Sequence, residues 1–153
     1  MLQTHPLDLH EIRSRIASHL DRGDLASCAR VSQGWNDSFI PALYNSVVVS
    51  ANVHINSVKR NKHHVRHLTI HGAADEEFFH LQGLDRLMTV HFEDTLNFRS
   101  STEFWRRLGN CESDMLAGEF LCNNSHALKS IHIAGGRFSV DFWKRVANCR
   151  ALG

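Results

Sequence analysis

The sequence has little excess charge and no long apolar run, and these absences exclude several classes of protein. It carries 17 Lys and Arg against 16 Asp and Glu, a net charge of +1, whereas proteins that bind nucleic acid or anionic membranes favour clustered basic residues. No run of about 18 apolar residues predicts a membrane span, and the N-terminus lacks the pattern of a signal peptide. We therefore expect a soluble intracellular protein, cytoplasmic or nuclear, with no nucleic-acid or membrane partner.

The cysteines also lack the spacing of a metal site. The four of them are Cys28, Cys111, Cys122 and Cys149. No CxxC pair occurs among them, and intracellular thiols normally stay reduced. We interpret all four as small apolar side chains, and predict neither disulfides nor metal ligation.

Histidine is frequent, with 12 in the chain, and four lie close together at His63, His64, His67 and His71. A zinc site needs three or four convergent ligands, and no second Cys/His cluster with suitable spacing is present. We interpret these four as exposed histidines at a strand edge and expect no metal and no cofactor. A small zinc enzyme stays as a further hypothesis, which elemental analysis without zinc would remove.

The N-terminal third of the chain predicts three short helices. Leu9, Ile12, Ile16 and Leu20 recur three or four residues apart, which places them in one apolar stripe on the first helix. A second helix is predicted at 25–31, capped by Asp24, and a third begins after Ser32 and ends at Pro41. Since a unit of about 45 residues buries little apolar surface alone, either the rest of the chain or a partner must cover these helices.

The spaced residues of this region resemble an F-box over 5–49, and the phrase EIRSRIASHL resembles the F-box proteins of fungi. The matching residues are Pro6, Leu7, Leu9, Glu11, Ile12, Ile16, Leu20, Asp24, Leu25, Val31, Ser32, Trp35, Pro41, Leu43 and Tyr44. The sequence has Leu9-His10 where many members have Leu-Pro, and Tyr44 where Trp is common.

The resemblance implies a docking module without catalytic residues, and so a protein that is not an enzyme. F-boxes bind the Skp-family adaptor of an SCF (cullin–RING) ubiquitin ligase, and the region after the box captures the protein to be ubiquitinated for degradation. Ten residues are expected to contact the adaptor: Pro6, Leu7, Leu9, Glu11, Ile12, Ile16, Leu20, Leu25, Val31 and Trp35.

The rest of the chain, 50–153, predicts strands that repeat. Residues 65–70, 87–92 and 128–133 all fit apolar-x-x-apolar-x-apolar, the strand signature of a leucine-rich repeat. The first offset, 22, matches one repeat, whereas the second, 41, implies an inserted loop or a degenerate repeat in between. We therefore expect a mixed α+β or α/β chain, with a three-helix F-box followed by a short leucine-rich-repeat-like solenoid.

Two segments predict the helical halves of such repeats. FWRRLGNC at 104–111 and FWKRVANC at 142–149 each place Phe, an aliphatic residue and Cys on one helix face. Ser139 has the position of an N-cap for the later helix. Residues 76–87 resemble a shorter, degenerate copy of the same helical segment. Because the last helix should lead into another strand, we expect a truncated repeat region. The alternative function is then a scaffold or dominant-negative decoy, which docks but lacks a full substrate surface.

Alternate residues of the three strands should line the sheet face that repeat proteins often use for binding. The candidates for an unknown protein substrate are His67, Thr69, Thr89, His91, Ser130 and His132. The alternative is that these side chains are merely solvated.

Overall fold

The computed structural model describes residues 9–50, 53–71, 76–93, 111–134 and 138–149. In these ranges the protein contains six α-helices and one four-stranded parallel sheet. The predicted mixture of helix and strand is confirmed.

Three helices form the N-terminal part: α1 (His10–Ala17), α2 (Arg22–Cys28) and α3 (Gln33–Asn45). Both α1 and α2 pack against α3. A small core of Ala17, Leu25, Ala29 and Phe39 lies between them, with Leu20 and Trp35 at its edge. The three predicted helices are thus present, although the second occupies Arg22–Cys28 and not 25–31.

The helix caps match the sequence prediction for α3 but not for α2. The Ser32 hydroxyl accepts a hydrogen bond from the Trp35 backbone N–H at 3.3 Å, as predicted. The cap of α2 is Asp21, whose carboxylate accepts from the Asp24 N–H at 2.9 Å. The prediction of Asp24 as the cap was wrong because Asp24 is already helical, whereas Asp21 has the extended backbone of an N-cap.

Pro41 lies inside α3 and does not end it, contrary to the prediction. A proline in a helix removes one backbone donor and costs about 3 kcal/mol or more. Phe39, fully buried, and Leu43 anchor the helix to the small core on either side of the proline. This packing explains why the helix continues to Asn45.

The four strands lie side by side in chain order, and each neighbouring pair of strands is parallel. Its strands are β1 (Ser46–Val49), β2 (His67–His71), β3 (Thr89–Glu93) and β4 (Ser130–Ala134). The last three are the predicted strands, each beginning two residues later than predicted. The first apolar position of each pattern, at Val65, Leu87 and Leu128, lies in a preceding turn, where its N–H donates to the carbonyl three residues back.

The remaining helices of the described ranges lie between the strands or after the last strand in the chain. They are α4 (Ile55–Asn61), α5 (Cys111–Asn123), α6 (Val140–Ala147), and the 3-10 helices Lys62–His64, Glu76–His80 and Ser125–Ala127. The degenerate copy of the helical segment predicted at 76–87 begins with the 3-10 helix Glu76–His80. A full helix, α5, occupies the long interval before β4. Of the helix predicted at 104–111, residues 104–110 lie outside the described residues.

The helix α6 is the predicted FWKRVANC segment. Phe142 and Val146 are buried and Cys149 is buried just beyond the helix end, whereas Trp143 is half exposed. The Ser139 hydroxyl accepts from the Phe142 N–H at 3.3 Å. Both the predicted apolar face and the predicted cap are confirmed.

The main core joins one face of the sheet to these helices and turns. It includes Leu68, Val90 and Phe92 of the strands together with Phe78, Phe79, Phe120, Leu121 and Phe142. Asn124 lies at its edge, only 1% exposed. Its side chain accepts from the Leu84 N–H and donates to the Leu81 and Phe120 carbonyls, all within 2.8 to 2.9 Å.

Cys122 and Cys149 form a disulfide between the end of α5 and the second residue after α6, with Cα atoms 5.1 Å apart. The prediction that none of the cysteines forms a disulfide was wrong for this pair. The two residues are 27 positions apart and meet because α5 packs against α6, a contact that spacing alone does not reveal. Cys28 has a free thiol.

Candidate functional site

Three large apolar side chains on α1 face outward. Leu9, Ile12 and Ile16 are 42%, 38% and 37% exposed, and we call this set the docking stripe. They are three of the four residues predicted to form an apolar face; the fourth, Leu20, is half-buried and packs against the small core. In this structure that face is turned away from α3.

The opposite face of α1, which contacts α3, is partly polar. Arg13 and Ala17 are its buried residues. The His10 Nδ1 lies 3.0 Å from the Ser38 hydroxyl of α3. A Cβ on Gly34 would lie 3.1 Å from a guanidinium nitrogen of Arg13, so the glycine leaves space for that side chain. These contacts fix α1 with its apolar stripe outside.

The other expected adaptor contacts differ in exposure. Glu11 and Val31 are exposed, Val31 by 64%. Leu20 and Trp35 are half-buried, and the Trp35 ring stacks on Phe39 at a centroid distance of 5.3 Å. Leu25 is buried in the small core, so it supports the helices from within and is not part of the exposed surface. Pro6 and Leu7 lie outside the described residues.

The six strand residues predicted as a binding face lie in two rows across β2, β3 and β4. We call them the polar sheet face. One row is His67, Thr89 and Ser130, and the other is Thr69, His91 and His132. Each of the six is exposed or half-buried, and their strand neighbours Leu68, Ile70, Val90 and Phe92 are buried. The predicted alignment in a parallel sheet is confirmed.

Side chains within the polar sheet face contact one another. The His67 Nδ1 lies 3.2 Å from the Thr89 hydroxyl. The rings of His91 and His132 stack with centroids 4.3 Å apart and planes 20° from parallel. The face therefore offers imidazole and hydroxyl groups at fixed positions, suited to hydrogen bonds with a polar partner.

The sheet face extends beyond the six predicted residues. Ser46 and Val48 of β1 continue its two rows, and Val48 is 41% exposed. A third row places the His71 Nδ1 3.8 Å from the Glu93 carboxylate. The signal for these residues was present, because the same two-residue alternation runs through SVVV and to the end of each strand.

The four clustered histidines do not converge. His63 and His64 belong to a 3-10 helix, with ring centroids 3.9 Å apart, whereas His67 and His71 lie at the two ends of β2. His63 and His67 are exposed, as predicted, and His64 and His71 are half-buried. Because β2 lies between β1 and β3, His67 and His71 do not lie on an edge strand of the sheet. Within the described ranges, no three His, Cys, Asp or Glu side chains are grouped to hold a metal ion.

No family model matches the sequence, and no curated protein matches it significantly. No helix within the described ranges is long and apolar enough to cross a membrane.

Proposed function

We propose that this protein is a substrate-recognition adaptor of an SCF ubiquitin ligase. The helices α1 to α3 would be an F-box that docks on the Skp-family adaptor. The repeats of turn, strand and helix would be a short leucine-rich-repeat-like solenoid, whose polar sheet face binds a protein substrate. The protein has no catalytic role of its own in this proposal.

The observation that carries the proposal is the docking stripe. Its residues Leu9, Ile12 and Ile16 stand at F-box positions in the sequence and are the exposed side of α1 in the structure. Full burial of such a side chain stabilises by about 1.5 to 3 kcal/mol, so covering the exposed two-fifths contributes about 1 kcal/mol for each residue. A helix-packing partner that covers all three would gain about 3 kcal/mol from these anchors alone.

The polar sheet face supports the second half of the proposal. Its six side chains are exposed or half-buried in the described part of the chain. The stacked His91 and His132 rings and the His67 to Thr89 contact hold its polar groups in place. Ordered polar groups on an open sheet lose little conformational freedom when a partner binds. Substrate recognition through hydrogen bonds is the use that this arrangement favours.

Co-purification with a Skp-family adaptor tests the docking. Ile12→Asp places a charge in the docking stripe, and we expect it to abolish binding. The matched control is Val140→Asp, since Val140 is 70% exposed on α6, outside the N-terminal helices. The control should bind like the unmodified protein.

The folded state of both variants is checked by circular dichroism and urea unfolding, because exposed positions should change stability little. Trp35→Ala is a weaker test, since Trp35 also packs on the small core. Adaptor binding by a folded Ile12→Asp protein, at the strength of the control, would rule out the docking stripe as the interface.

A further inference from the structure

A cleft with a cavity volume of about 750 Å³ lies where the N-terminal helices meet the turns that precede β2 and β3. One wall consists of His64 and of two cationic side chains, Arg66 and Arg86. The volume lies within the range of about 300 to 1,000 Å³ that small-molecule sites occupy. The cleft is separate from the docking stripe and from the polar sheet face.

The cationic wall lacks counter-ions. The lining of the cleft, all of it in the described part of the chain, contains no carboxylate. Neither Arg66 nor Arg86 makes an ion pair or a side-chain hydrogen bond with another described residue. By contrast, Lys59 pairs with Glu77 and Arg145 with Glu119.

A positive environment is also evident at His64. Partial burial lowers the pKa of its imidazole, and the neighbouring His63 and Arg86 lower it further. An anion bound in the cleft would be attracted by the Arg66 and Arg86 guanidinium groups.

The opposite wall is formed by the three N-terminal helices and has two kinds of surface. Leu20 and Pro41 present apolar surface, together with neighbouring alanines. Ser14, Ser18 and Asn45 add hydroxyl and amide groups, which can hydrogen-bond to phosphate oxygens. A ligand that fills this cleft therefore needs an anionic end and an apolar body.

We propose that the cleft binds a small organic phosphate, with the phosphate group against Arg66 and Arg86 and the apolar part of the molecule against Leu20 and Pro41. Guanidinium groups bind phosphate through paired charge-assisted hydrogen bonds. Inorganic phosphate would leave most of the cavity unfilled. Because the two walls come from the helices and from the sheet region, the ligand would tie the two parts together. This proposal does not depend on ubiquitin-ligase docking.

Binding is tested by NMR titration of the full chain with phenyl phosphate, inorganic phosphate and benzyl alcohol. We expect saturable shifts with phenyl phosphate in the signals of Arg66, Arg86 and Ala42, and binding at least about tenfold weaker for each of the other two probes. Absence of saturable binding of phenyl phosphate up to about 10 mM would overturn the proposal. Equal affinity for inorganic phosphate would refute an organic ligand.

Variants locate the site. The double change Arg66→Gln and Arg86→Gln should weaken phenyl phosphate binding by about tenfold or more, because it removes charge-assisted contacts. The charge-matched control is Arg30→Gln with Arg60→Gln, two exposed arginines outside the cleft, and its affinity should stay within about twofold. An equal loss in the control would show diffuse attraction only and contradict the proposal.

A third variant blocks the cleft without changing its charge. Ser14 is exposed and lines the opening, so Ser14→Phe should remove phenyl phosphate binding and leave the urea midpoint nearly unchanged. Unaltered affinity in Ser14→Phe would place the bound probe elsewhere. Urea unfolding of every variant, without probe, separates lost binding from lost folding.

Discussion

The side chain of Asn124 should be among the most important polar groups for stability. It is 1% exposed and makes three hydrogen bonds: to the Leu84 N–H, the Leu81 carbonyl and the Phe120 carbonyl. Leu81 and Leu84 precede β3, whereas Phe120 belongs to α5. One amide thus joins the turn before one strand to the helix before the next.

The change Asn124→Ala removes all three bonds at once. A buried hydrogen bond contributes about 1 kcal/mol net, and a buried donor or acceptor left without a partner costs about 1 to 3 kcal/mol. Leu81 and Leu84 are buried, so water reaches their freed backbone groups poorly. We expect a loss of roughly 3 to 5 kcal/mol in the free energy of unfolding.

Asn123→Ala is the matched control, because Asn123 is the adjacent residue of the same type but is exposed. Urea unfolding followed by circular dichroism measures both variants. With a slope of about 2 kcal/mol per molar urea, the expected loss shifts the midpoint by about 1.5 to 2.5 M. The control should stay within about 0.5 kcal/mol of the unmodified protein.

An isosteric variant separates hydrogen bonding from shape. Asn124→Asp keeps the size of the side chain and its acceptor for the Leu84 N–H, but replaces the amide donor with an oxygen that faces the Leu81 and Phe120 carbonyls. It should therefore be destabilised as strongly as Asn124→Ala. If either Asn124 variant unfolded within about 1 kcal/mol of Asn123→Ala, our account of this network would be refuted.

Three further predictions concern other parts of the molecule. Phe142→Ala should lower the free energy of unfolding by about 3 to 5 kcal/mol and Trp143→Ala by much less, because Phe142 is buried and Trp143 is 50% exposed. Equal losses in urea unfolding would contradict the orientation of α6. Reduction of the Cys122–Cys149 disulfide should cost roughly 3.5 kcal/mol, as the loop entropy for a separation of 27 implies, and non-reducing peptide mapping should recover the linked pair; two free thiols there would refute it. Partial burial lowers the folded-state pKa of the His64 imidazole below its usual value of about 6.5. The contribution of His64 to the free energy of unfolding is therefore constant above about pH 6.5 and becomes unfavourable as the pH falls. His64→Gln should reduce the loss of stability between about pH 7 and 5, and an unchanged loss would exclude this cause.

The sheet could be predicted from the sequence because its signal is local. In 65–70 and 87–92 the apolar positions of the pattern are buried, and in 128–133 the two that lie in the strand, Ile131 and Ile133, are half-buried. The parallel register then aligns the alternate residues of the three strands. His91 beside His132, 4.3 Å apart at the ring centroids, follows directly from that register. The positions of the candidate binding residues were therefore predictable, although the identity of any substrate was not.

Contacts between distant elements were not predictable in this way. The bonds of Asn124 to Leu81 and Leu84 and the pairing of Cys122 with Cys149 join residues 27 to 43 positions apart. They depend on how helices and turns pack on one another, and no local period encodes that packing. The cationic cleft was missed for the same reason, because Arg66 and Arg86 meet the helices only in the folded chain.

The orientation of α1 shows why a predicted apolar face does not reveal what covers it. The stripe of Leu9, Ile12 and Ile16 has the period of a buried face, yet it is exposed, because a period defines one side of a helix and not its partner. Arg13 is buried against α3 instead, where a Cβ on Gly34 would lie 3.1 Å from its guanidinium group. A Cβ at Gly34 would require the Arg13 guanidinium group to shift by a few tenths of an ångström. Arg13 and Gly34 thus meet on the side of α1 that faces α3, and the three apolar residues of the docking stripe are left on the exposed side.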